Sequence, residues 1–399
     1  MSKIMEKSAE PGLSADKKTV LKQILHWQEF QTDKQAYLTV GGYAGTGKTT
    51  LIAVLRRLLY KKDPKLKVAF AAFTGKAARV LKNYLEEFAL LYKQDSIGTI
   101  HSLIYSVIEN EQQQIIGWRK KDRLKTDLII IDEASMIDQK IWSDLLSYQI
   151  PILAVGDHGQ LPPVHGYFNL MKEPILRLET IHRQEANNPI IDLSILARTK
   201  GCIPVGNYGP RVKKFLKSDP ETAELIDNHL QMANQDTLIV CGYNNTRLKL
   251  NQYLRSIKGF EDEQPQAGDR VICLRNNHQK QIFNGMLGTI ERIRTVDEKF
   301  FEIKVNFDDQ DFVYEGLTVA KQFNSGKTIS FNNQDRHLLK KADLFDFAYA
   351  LTVHKAQGSQ ASKVIVFEER FKQMSDEDWR RWLYTAITRA EEELIIIGD

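Results

Sequence analysis

Residues Gly42–Thr49 fit the pattern G-x-x-x-x-G-K-[ST], and no other feature of the chain constrains its fold as strongly. An extended apolar run, Tyr37–Val40, precedes the pattern, and a stretch with helical periodicity, Thr50–Tyr60, follows it. A strand that turns through glycines into a helix presents successive backbone N–H groups and the helix N-terminus to a polyphosphate. The sequence therefore predicts a loop that binds a nucleoside triphosphate.

Several residues of this loop are expected to contact the nucleotide: Gly42, Ala44, Gly45, Thr46, Gly47, Lys48, Thr49 and Thr50. Lys48 is predicted to reach the β- and γ-phosphates, and the Thr49 hydroxyl to ligate Mg²⁺. Further along, the apolar strand Leu128–Ile131 runs directly into Asp132 and Glu133. At a strand end beside a phosphate loop, Asp132 is predicted to hold the metal ion and Glu133 to deprotonate the attacking water.

Composition limits the possible classes of protein. The chain has 399 residues, 42% hydrophobic and 27% charged, which is room for two or three globular domains. Its N-terminal 18 residues are polar, and it has no apolar run of membrane-spanning length, so we expect no signal peptide and a cytoplasmic protein. Its three cysteines are far apart, which argues against a zinc site or a disulfide framework.

Short continuous apolar runs alternate with helical stretches, which indicates an α/β fold with parallel sheets covered by helices on both faces. Four runs precede about residue 175 and four follow it, so we predict two sheets. The runs are Tyr37–Val40, Lys67–Phe73, Leu128–Ile131, Ile152–Val155, Thr237–Cys241, Phe347–Val353, Val364–Phe367 and Leu394–Ile397.

Two stretches interrupt this alternation. Residues 103–126 contain two β-rich segments around a polar turn, which predicts a projecting β-hairpin. Residues 259–340 contain short strands and tight turns, including the alternating segment Phe300–Phe307 and a hairpin signal at Asn284–Gly285. This second stretch predicts a small β-barrel inserted into the second sheet domain.

Three polar side chains are further candidates for catalysis. Gln160 follows the strand at residues 152–155 and is long enough to contact a γ-phosphate. Arg183 and Arg389 are candidate arginine contacts to the charge of the transition state. A single arginine is more often a surface ion pair, so local chemistry alone does not assign these two roles.

The order of these segments resembles that of the superfamily 1B helicases, which include the RecD-like enzymes and the phage Dda helicase. The matching segments are Gly42–Thr49 (motif I), Phe73–Ala78 (Ia), Thr99–His101 (Ib), Asp132–Ser135 (II), Gly156–Pro163 (III), Arg183 (IV), Leu351–Gln360 (V) and Tyr384–Arg389 (VI). They span nearly the whole chain.

This resemblance implies two RecA-like domains with ATP and Mg²⁺ in the cleft between them. Domain 1A would comprise residues 1–102 and 127–174, and domain 2A residues 175–258 and 341–399. The hairpin at 103–126 would be the strand-splitting pin, domain 1B, and the barrel at 259–340 an SH3-like domain 2B. The implied activity is ATP-driven 5′-to-3′ translocation on single-stranded DNA with unwinding of duplex DNA. We expect a monomeric motor whose partners are single-stranded and forked DNA. Roles in replication, repair, recombination or a phage stay open, as do replication or recombination proteins as partners.

The resemblance also implies which residues grip the strand. They are Thr74, Lys76, Thr99 and His101 in domain 1A, and Thr352, His354 and Lys355 in domain 2A. Contacts to phosphate and sugar give the sequence-tolerant grip that a translocase needs. For His101, a helix-capping or core role is the alternative.

Two residues depart from the family pattern. Lys17 stands where a glutamine usually reads adenine, and lysine has donors but no acceptor, which leaves the base preference open. Gln360 stands where an acid is common in motif V.

Three alternatives stay open from the residues alone. The chain could move on RNA, it could displace bound protein from a strand, or it could be a recombination mediator that uses ATP as a clamp and does not unwind. The basic cluster at residues 119–125 could contact phosphate or be a solvated loop.

Overall fold

The polypeptide forms two α/β units, each with a six-stranded sheet. The first unit comprises residues 1–108 and 118–191, and the second residues 109–117 and 192–399. The structure, a computed structural model, describes residues 13–109, 115–163, 168–181, 188–277, 280, 282–308, 312–329 and 336–399. Within these ranges every helix is too short or too polar to cross a bilayer.

Up to residue 178, the helices and strands are α1 (Ala15–Phe30), β1 (Tyr37–Gly42), α2 (Lys48–Lys62), β2 (Val68–Ala72), α3 (Gly75–Glu87), β3 (Ser96–Thr99), α4 (Ile100–Ile104), β4 (Tyr105–Glu109), β5 (Ile115–Lys120), β6 (Leu128–Asp132), α5 (Gln139–Leu146), β7 (Ile152–Gly156) and β8 (Leu176–Leu178). The first sheet has the strand order β3-β2-β6-β7-β1-β8, and its strands pair in parallel. Separately, β4 and β5 form a two-stranded sheet, and residues 110–114 between them lie outside the described residues.

The first sheet is buried on both faces, as its continuous apolar strands predicted. Because successive side chains alternate between faces, Phe70 and Ile130 pack with the buried stripe of α1 and with α2 and α3. Ala71 and Ile131, one residue further along the same strands, pack with α4 and α5 on the opposite face. The predicted α/β class with a parallel sheet is confirmed.

The remaining elements are α6 (Pro189–Lys200), β9 (Gly206–Gly209), β10 (Val212–Leu216), α7 (Pro220–Gln231), β11 (Thr237–Cys241), α8 (Asn244–Ile257), β12 (Arg270–Cys273), β13 (Leu287–Thr295), β14 (Phe300–Phe307), β15 (Val313–Val319), α9 (Arg336–Lys341), β16 (Phe345–Phe347), β17 (Ala350–Thr352), β18 (Ala361–Phe367), α10 (Asp376–Ile387) and β19 (Ala390–Gly398). The second sheet has the order β17-β11-β18-β19-β10-β9 and is parallel except for the antiparallel edge strand β9.

A separate five-stranded antiparallel sheet, with the order β15-β14-β13-β12-β16, follows α8 in the chain. Its longest predicted strand, Phe300–Phe307, forms with the bounds given by its alternating pattern. A bridge between Thr318 in β15 and Asp343, just before β16, links the two edges of this sheet. Its apolar face and the second parallel sheet share one hydrophobic core.

Two predicted elements in this region are wrong. The run Phe347–Val353 is not a single strand: Phe347 ends β16 in the antiparallel sheet, whereas Ala350 begins β17 in the parallel sheet. The turn at Asn284–Gly285 forms, with Gly285 at φ 93°, but it does not join two paired strands. Instead β13 pairs with β12, and Ile282 bridges Asn277.

Two predicted domain limits fall inside observed sheets. β8 pairs with β1 and thus extends the first sheet beyond residue 174. β16 pairs with β12 and extends the inserted sheet beyond residue 340. Both limits were placed too early because neither short strand has a strong pattern of its own.

The chain enters and leaves the antiparallel sheet beside one buried carboxylate, that of Asp269. Arg255 near the end of α8 donates to both Asp269 oxygens, at 2.8 and 3.0 Å, and stacks over Phe347. Tyr349, on the exit segment, donates its hydroxyl to Asp269 at 2.9 Å. Separating such a buried pair would leave each charge without compensation, which is strongly unfavourable. Arg255 and Asp269 therefore hold the two connecting segments in place.

Candidate functional site

The candidate nucleotide-binding residues lie at one edge of the first sheet. β1, β6 and β7 are parallel, so the loops that follow them start from the same, carboxyl-terminal edge. These loops are the glycine-rich loop, the acidic turn at Asp132–Glu133 and the segment 157–163. In parallel α/β sheets, ligands bind at this edge.

The glycine-rich loop has the backbone that its sequence predicted. Gly45 and Gly47 have φ values of 77° and 74°, which residues with a Cβ rarely adopt, and α2 begins directly after Gly47. The Lys48 ammonium folds back over the loop and donates to the carbonyls of Gly42 and Tyr43, at 2.9 and 3.1 Å. Both contacts are to neutral oxygens, so the lysine charge is available to an incoming phosphate.

The acidic turn is a strained and buried site. Asp132 is 8% exposed, and Glu133 has a left-handed backbone with φ 52°. Burial, followed by the neighbouring Glu133 charge, raises the pKa of Asp132 to about 6, although the Glu133 N–H and Lys48 oppose this shift. The Glu133 Oε2 atom is buried and has no hydrogen-bond partner among the described residues.

These acids suit a cation and a water molecule. A buried carboxylate with a raised pKa is stabilised by a bound cation, and a buried, unpartnered oxygen can accept a hydrogen bond from a water molecule. No cluster of three or more His, Cys, Asp or Glu side chains in the described ranges is arranged to hold a metal ion. Mg²⁺ at Asp132 would therefore need phosphate oxygens and water as further ligands, as is usual for this ion.

The loop after β7 packs closely on the acidic turn and on the glycine-rich loop. A Cβ at Gly156 would lie 3.0 Å from the Ser135 backbone nitrogen, so only glycine fits there without displacement. Asp157 is buried and accepts from the Gly159 N–H at 2.9 Å, and Gln160 is 4% exposed. The His158 ring contacts the Tyr43 ring with centroids 4.1 Å apart.

The candidate strand-gripping residues of the first unit share this sheet edge. Thr74 follows β2 and caps α3 through a 3.2 Å bond from the Ala77 N–H, and Thr99 ends β3 and caps α4 at 3.1 Å from the Ser102 N–H. Each hydroxyl accepts at its cap and keeps its hydrogen for another acceptor. Lys76, in the first turn of α3, is half-buried.

His101 is half-buried between the rings of Phe73 and Tyr105. Burial lowers its pKa, so the neutral imidazole dominates at neutral pH. A neutral imidazole still donates one hydrogen bond, which suits contact to phosphate or sugar but excludes a strong ion pair.

In the second unit, Thr352 ends β17, and His354 and Lys355 follow it at the carboxyl-terminal edge of the second sheet. Burial, together with the Arg247 charge, lowers the pKa of Lys355 to about 8. Burial also lowers the pKa of His354. Arg247 is held by Asp346 at 3.0 Å and by the Ser325 carbonyl at 2.7 Å.

Arg389 lies at the opposite, amino-terminal edge of the second sheet, directly before β19. Its guanidinium is buried and donates to the carbonyls of Thr385 and Ser359, at 3.0 and 3.1 Å. In the described part of the chain, no carboxylate is paired with it. Arg183 lies outside the described residues, so its predicted role stays a prediction.

Sequence reasoning missed Asp16. Its carboxylate accepts from the backbone N–H groups of Glu179 and Thr180, at 3.2 and 3.0 Å, and so ties α1 to the segment that leads towards Arg183. Although burial opposes the shift, hydrogen bonds from Ser14, Thr180 and Lys17 lower its pKa to about 2. No local pattern could reveal this contact, because its partners are more than 160 residues away. Lys17 beside it is 1% exposed.

The fold and the glycine-rich loop together are those of the P-loop proteins with RecA-like sheets. Comparison with known proteins shows which P-loop proteins the chain is similar to. The model of an AAA domain matches residues 21–201, and the model of a UvrD-like helicase C-terminal domain matches residues 347–397.

Several curated relatives match over most of the chain, and two of them are DNA helicases from bacteria. The ATP-dependent RecD2 DNA helicase of Deinococcus radiodurans is 27% identical over 414 residues, covering 98% of this chain and 50% of that protein. The ATP-dependent DNA helicase Pif1 of Campylobacter jejuni is 25% identical over 405 residues, covering 88% of this chain and 86% of that protein. The chain thus spans about half the length of the RecD2 relative.

One solved structure has a similar fold. It is the Bacteroides Pif1 helicase in complex with ADP-AlF3 and single-stranded DNA, with a TM-score of 0.53 and 17% identity, covering 96% of this chain and 92% of that one. Over most of its length, the chain is thus similar to ATP-dependent DNA helicases of the RecD2 and Pif1 types, and two parts of it match an AAA domain and a UvrD-like helicase C-terminal domain.

Proposed function

We propose that the chain is an ATP-driven motor that translocates 5′ to 3′ on single-stranded DNA and unwinds duplex DNA ahead of it. One observation carries this proposal: a single edge of the first sheet presents two sets of residues side by side. The loops after β1, β6 and β7 carry the nucleotide candidates, and the loops after β2 and β3 carry the strand-gripping candidates. Hydrolysis at one set can therefore alter the grip at the other through adjacent parallel strands.

In the nucleotide site, the assigned roles follow the chemistry of each group. Lys48 leaves the carbonyls of its own loop for the β- and γ-phosphates, which offer charged acceptors. Thr49 and Asp132 would hold Mg²⁺, which would neutralise phosphate charge when bound. The free Glu133 Oε2 accepts a proton from the water that attacks the γ-phosphate. Gln160 is proposed to contact the γ-phosphate.

Arg389 is proposed as the contact to the charge that develops during phosphoryl transfer, and Arg183 is proposed for the same role on the grounds of sequence alone. The Arg389 assignment is supported by its buried guanidinium, whose hydrogen-bond partners among the described residues are all neutral. Phosphate oxygens would provide the charge that those partners lack.

The strand grip in the second unit is proposed to come from Thr352, His354 and Lys355. The loop that bears them runs from the end of β17 to Ser359, whose carbonyl accepts from Arg389. It therefore links both edges of the second sheet. We propose that this loop transmits the state of the nucleotide to the DNA grip.

For the two additional sheets, the resemblance to helicases suggests roles. We propose that β4 and β5 form the base of a pin that separates the strands, and that the five-stranded sheet is an SH3-like domain. The bridge between Thr318 and Asp343 supports a closed, barrel-like arrangement, because it connects the two edge strands.

The test is an unwinding assay on duplexes that carry a 5′ or a 3′ single-stranded tail, with the same 5′ tail made of RNA as a third substrate. The proposal expects ATP-dependent unwinding of the 5′-tailed DNA only. Unwinding from the 3′ tail would refute the polarity, and preference for the RNA tail would refute the substrate. Tail-stimulated ATP hydrolysis with no unwinding would favour the non-unwinding clamp.

A further inference from the structure

A basic pocket lies in the first unit, at the segments that lead into β6 and β7. It has a volume of about 570 Å³ and is lined by residues 120–124, 126 and 147–150. Three of its lining side chains are cationic, Lys120, Lys121 and Arg123, and only Asp122 is acidic. The pocket thus carries a net positive charge of two.

The two lysines of the basic pocket donate hydrogen bonds to neutral oxygens. Lys120 donates to the Ser147 hydroxyl at 2.6 Å and lies 5.2 Å from the centre of the Tyr148 ring. Lys121 donates to the Ser102 carbonyl at 2.6 Å. Arg123 is exposed. As far as the structure describes the chain, none of the three is paired with a carboxylate, so their charge is not compensated within the protein.

Tyr148 is anchored through its hydroxyl. The carbonyls of Ile104 and Lys121, at 2.8 and 2.9 Å, are both within reach of its one hydrogen, so the ring is held against the base of the two-stranded sheet. The next residue, Gln149, has a left-handed backbone with φ 54° although it is not glycine. Such a conformation costs free energy and persists where the surrounding structure enforces it.

The position of the basic pocket separates it from the predicted strand grip. Residues 120–126 lead into β6, and residues 147–150 lead into β7, so the pocket lies towards the amino-terminal edge of the first sheet. Thr74 and Thr99 lie at the carboxyl-terminal edge. A five-residue strand such as β6 spans about 13 Å between these edges, at ~3.3 Å per residue. Lys120 and Arg123 therefore precede β6 at the amino-terminal edge, whereas Lys121 reaches towards the predicted grip and donates to the carbonyl of Ser102, next to His101.

The chemistry of the pocket fits a phosphodiester backbone. Lysine, arginine and neutral hydroxyl or amide donors are the groups that contact DNA phosphates and sugars without reading sequence. The lining includes no glycine and thus differs from the glycine-rich loop, where two left-handed glycines shape the backbone.

We propose that the basic pocket binds the sugar–phosphate backbone of a second DNA segment at a fork, while the tracking strand crosses the opposite edge of the sheet. This inference rests on the proposed function, because a second segment exists only if the substrate is forked or duplex DNA. The segment is either the unopened duplex or the displaced strand, and both present the same phosphodiester groups.

The experiment compares Lys120→Gln/Arg123→Gln with the wild type in equilibrium binding without nucleotide. Lys61→Gln/Lys65→Gln is the matched control, since it makes the same charge change at two exposed lysines near the end of α2. Three DNA ligands are used: a single strand, a 5′-tailed duplex, and a fork with both tails. Arg123→Lys, which keeps the charge, tests whether charge or shape matters, and thermal unfolding confirms that each variant is folded.

The single strand should bind the pocket variant within twofold of the wild type. Fork binding should weaken by about ten- to fiftyfold at 0.1 M salt, and its salt dependence should fall by about 1.4–1.8 in log–log slope, because two phosphate contacts are lost. The control and Arg123→Lys should bind the fork like the wild type. Weakening on the tailed duplex as well assigns the pocket to the duplex, whereas weakening on the fork alone assigns it to the displaced strand.

Two results would overturn the proposal. One is fork binding by the pocket variant that equals that of the control. The other is an equal loss of single-strand and fork affinity, which would place these cations in the tracking path. Neither depends on ATP hydrolysis, so a wild-type protein that binds forks but fails to unwind them would refute the proposed function and leave the pocket intact.

Discussion

Glu133→Gln should reduce ATP hydrolysis and, at the same time, stabilise the fold. The side chain keeps its size, but the amide cannot take a proton from the attacking water. Loss of a general base lowers kcat by about 10²- to 10⁴-fold, which corresponds to ~2.7–5.4 kcal/mol in the activation barrier. Nucleotide binding should persist because Lys48 and the glycine-rich loop are untouched.

The stabilising effect follows from the pKa of Asp132. Burial and the Glu133 charge raise that pKa from 3.8 to about 6, so ionisation of Asp132 destabilises the folded protein; the loss of stability begins as the pH rises above 3.8 and is complete above about pH 6. Removing the Glu133 charge should recover on the order of 1 kcal/mol, since one pKa unit corresponds to 1.36 kcal/mol. For a domain of the size of the first α/β unit, this gain in stability should raise Tm by ~2–4 °C. It should be present at pH 8 and disappear as the pH falls through about 6.

Two assays test this reasoning, with Glu173→Gln as the control because Glu173 is exposed in the same unit. The first measures phosphate release stimulated by single-stranded DNA at saturating ATP. The second measures Tm from pH 5 to 8 without nucleotide or Mg²⁺. Hydrolysis within tenfold of the wild type would exclude Glu133 as the base. A Tm that does not rise at pH 8 would contradict the charge coupling between the two acids.

Three further predictions concern the other charged groups. Lys48→Ala should abolish hydrolysis yet bind single-stranded DNA within about twofold of the wild type, and normal turnover would remove Lys48 from the nucleotide site. Arg389→Ala should bind a fluorescent ATP analogue but lose about 10³-fold or more in kcat. Arg389→Lys should restore kcat only in part, because lysine lacks the planar guanidinium group. An unchanged kcat in Arg389→Ala would exclude the proposed contact. Because the pKa of Lys355 is lowered to about 8, its positive charge is lost as the pH rises through 8. Affinity for single-stranded DNA should therefore fall between pH 7 and 9, and Lys355→Gln should remove this pH dependence. If the variant keeps the full pH dependence, a group other than Lys355 causes it.

The parts of the fold with strong local patterns could be predicted from sequence. The glycine-rich loop needs left-handed glycines between a strand and a helix, and both the residues and the context are contiguous in the chain. The strand Phe300–Phe307 shows its period of two because one face is buried and the other is not. The acids at Asp132–Glu133 could be placed because an apolar strand ends directly before them.

What could not be predicted depends on contacts between distant residues. Phe347–Val353 is one continuous run in the sequence, yet its two ends pair with strands of different sheets, and nothing local marks the change at Ala348–Tyr349. β10 carries two lysines, and Lys214 is nonetheless buried because Glu368 pairs with it. Asp16 resembles an ordinary helix-start residue, although its partners follow β8.

The carboxylate of Asp269 also bears on how such a chain can change over time. Because the polypeptide enters and leaves the antiparallel sheet beside this one group, everything between residues 270 and 348 begins and ends at nearly the same place. Insertions, deletions or wholesale replacement of that segment would leave the strand order of the second parallel sheet unchanged. Related proteins could thus acquire other accessory domains at this position, provided that each new domain covers the apolar residues that the present antiparallel sheet buries on the second parallel sheet.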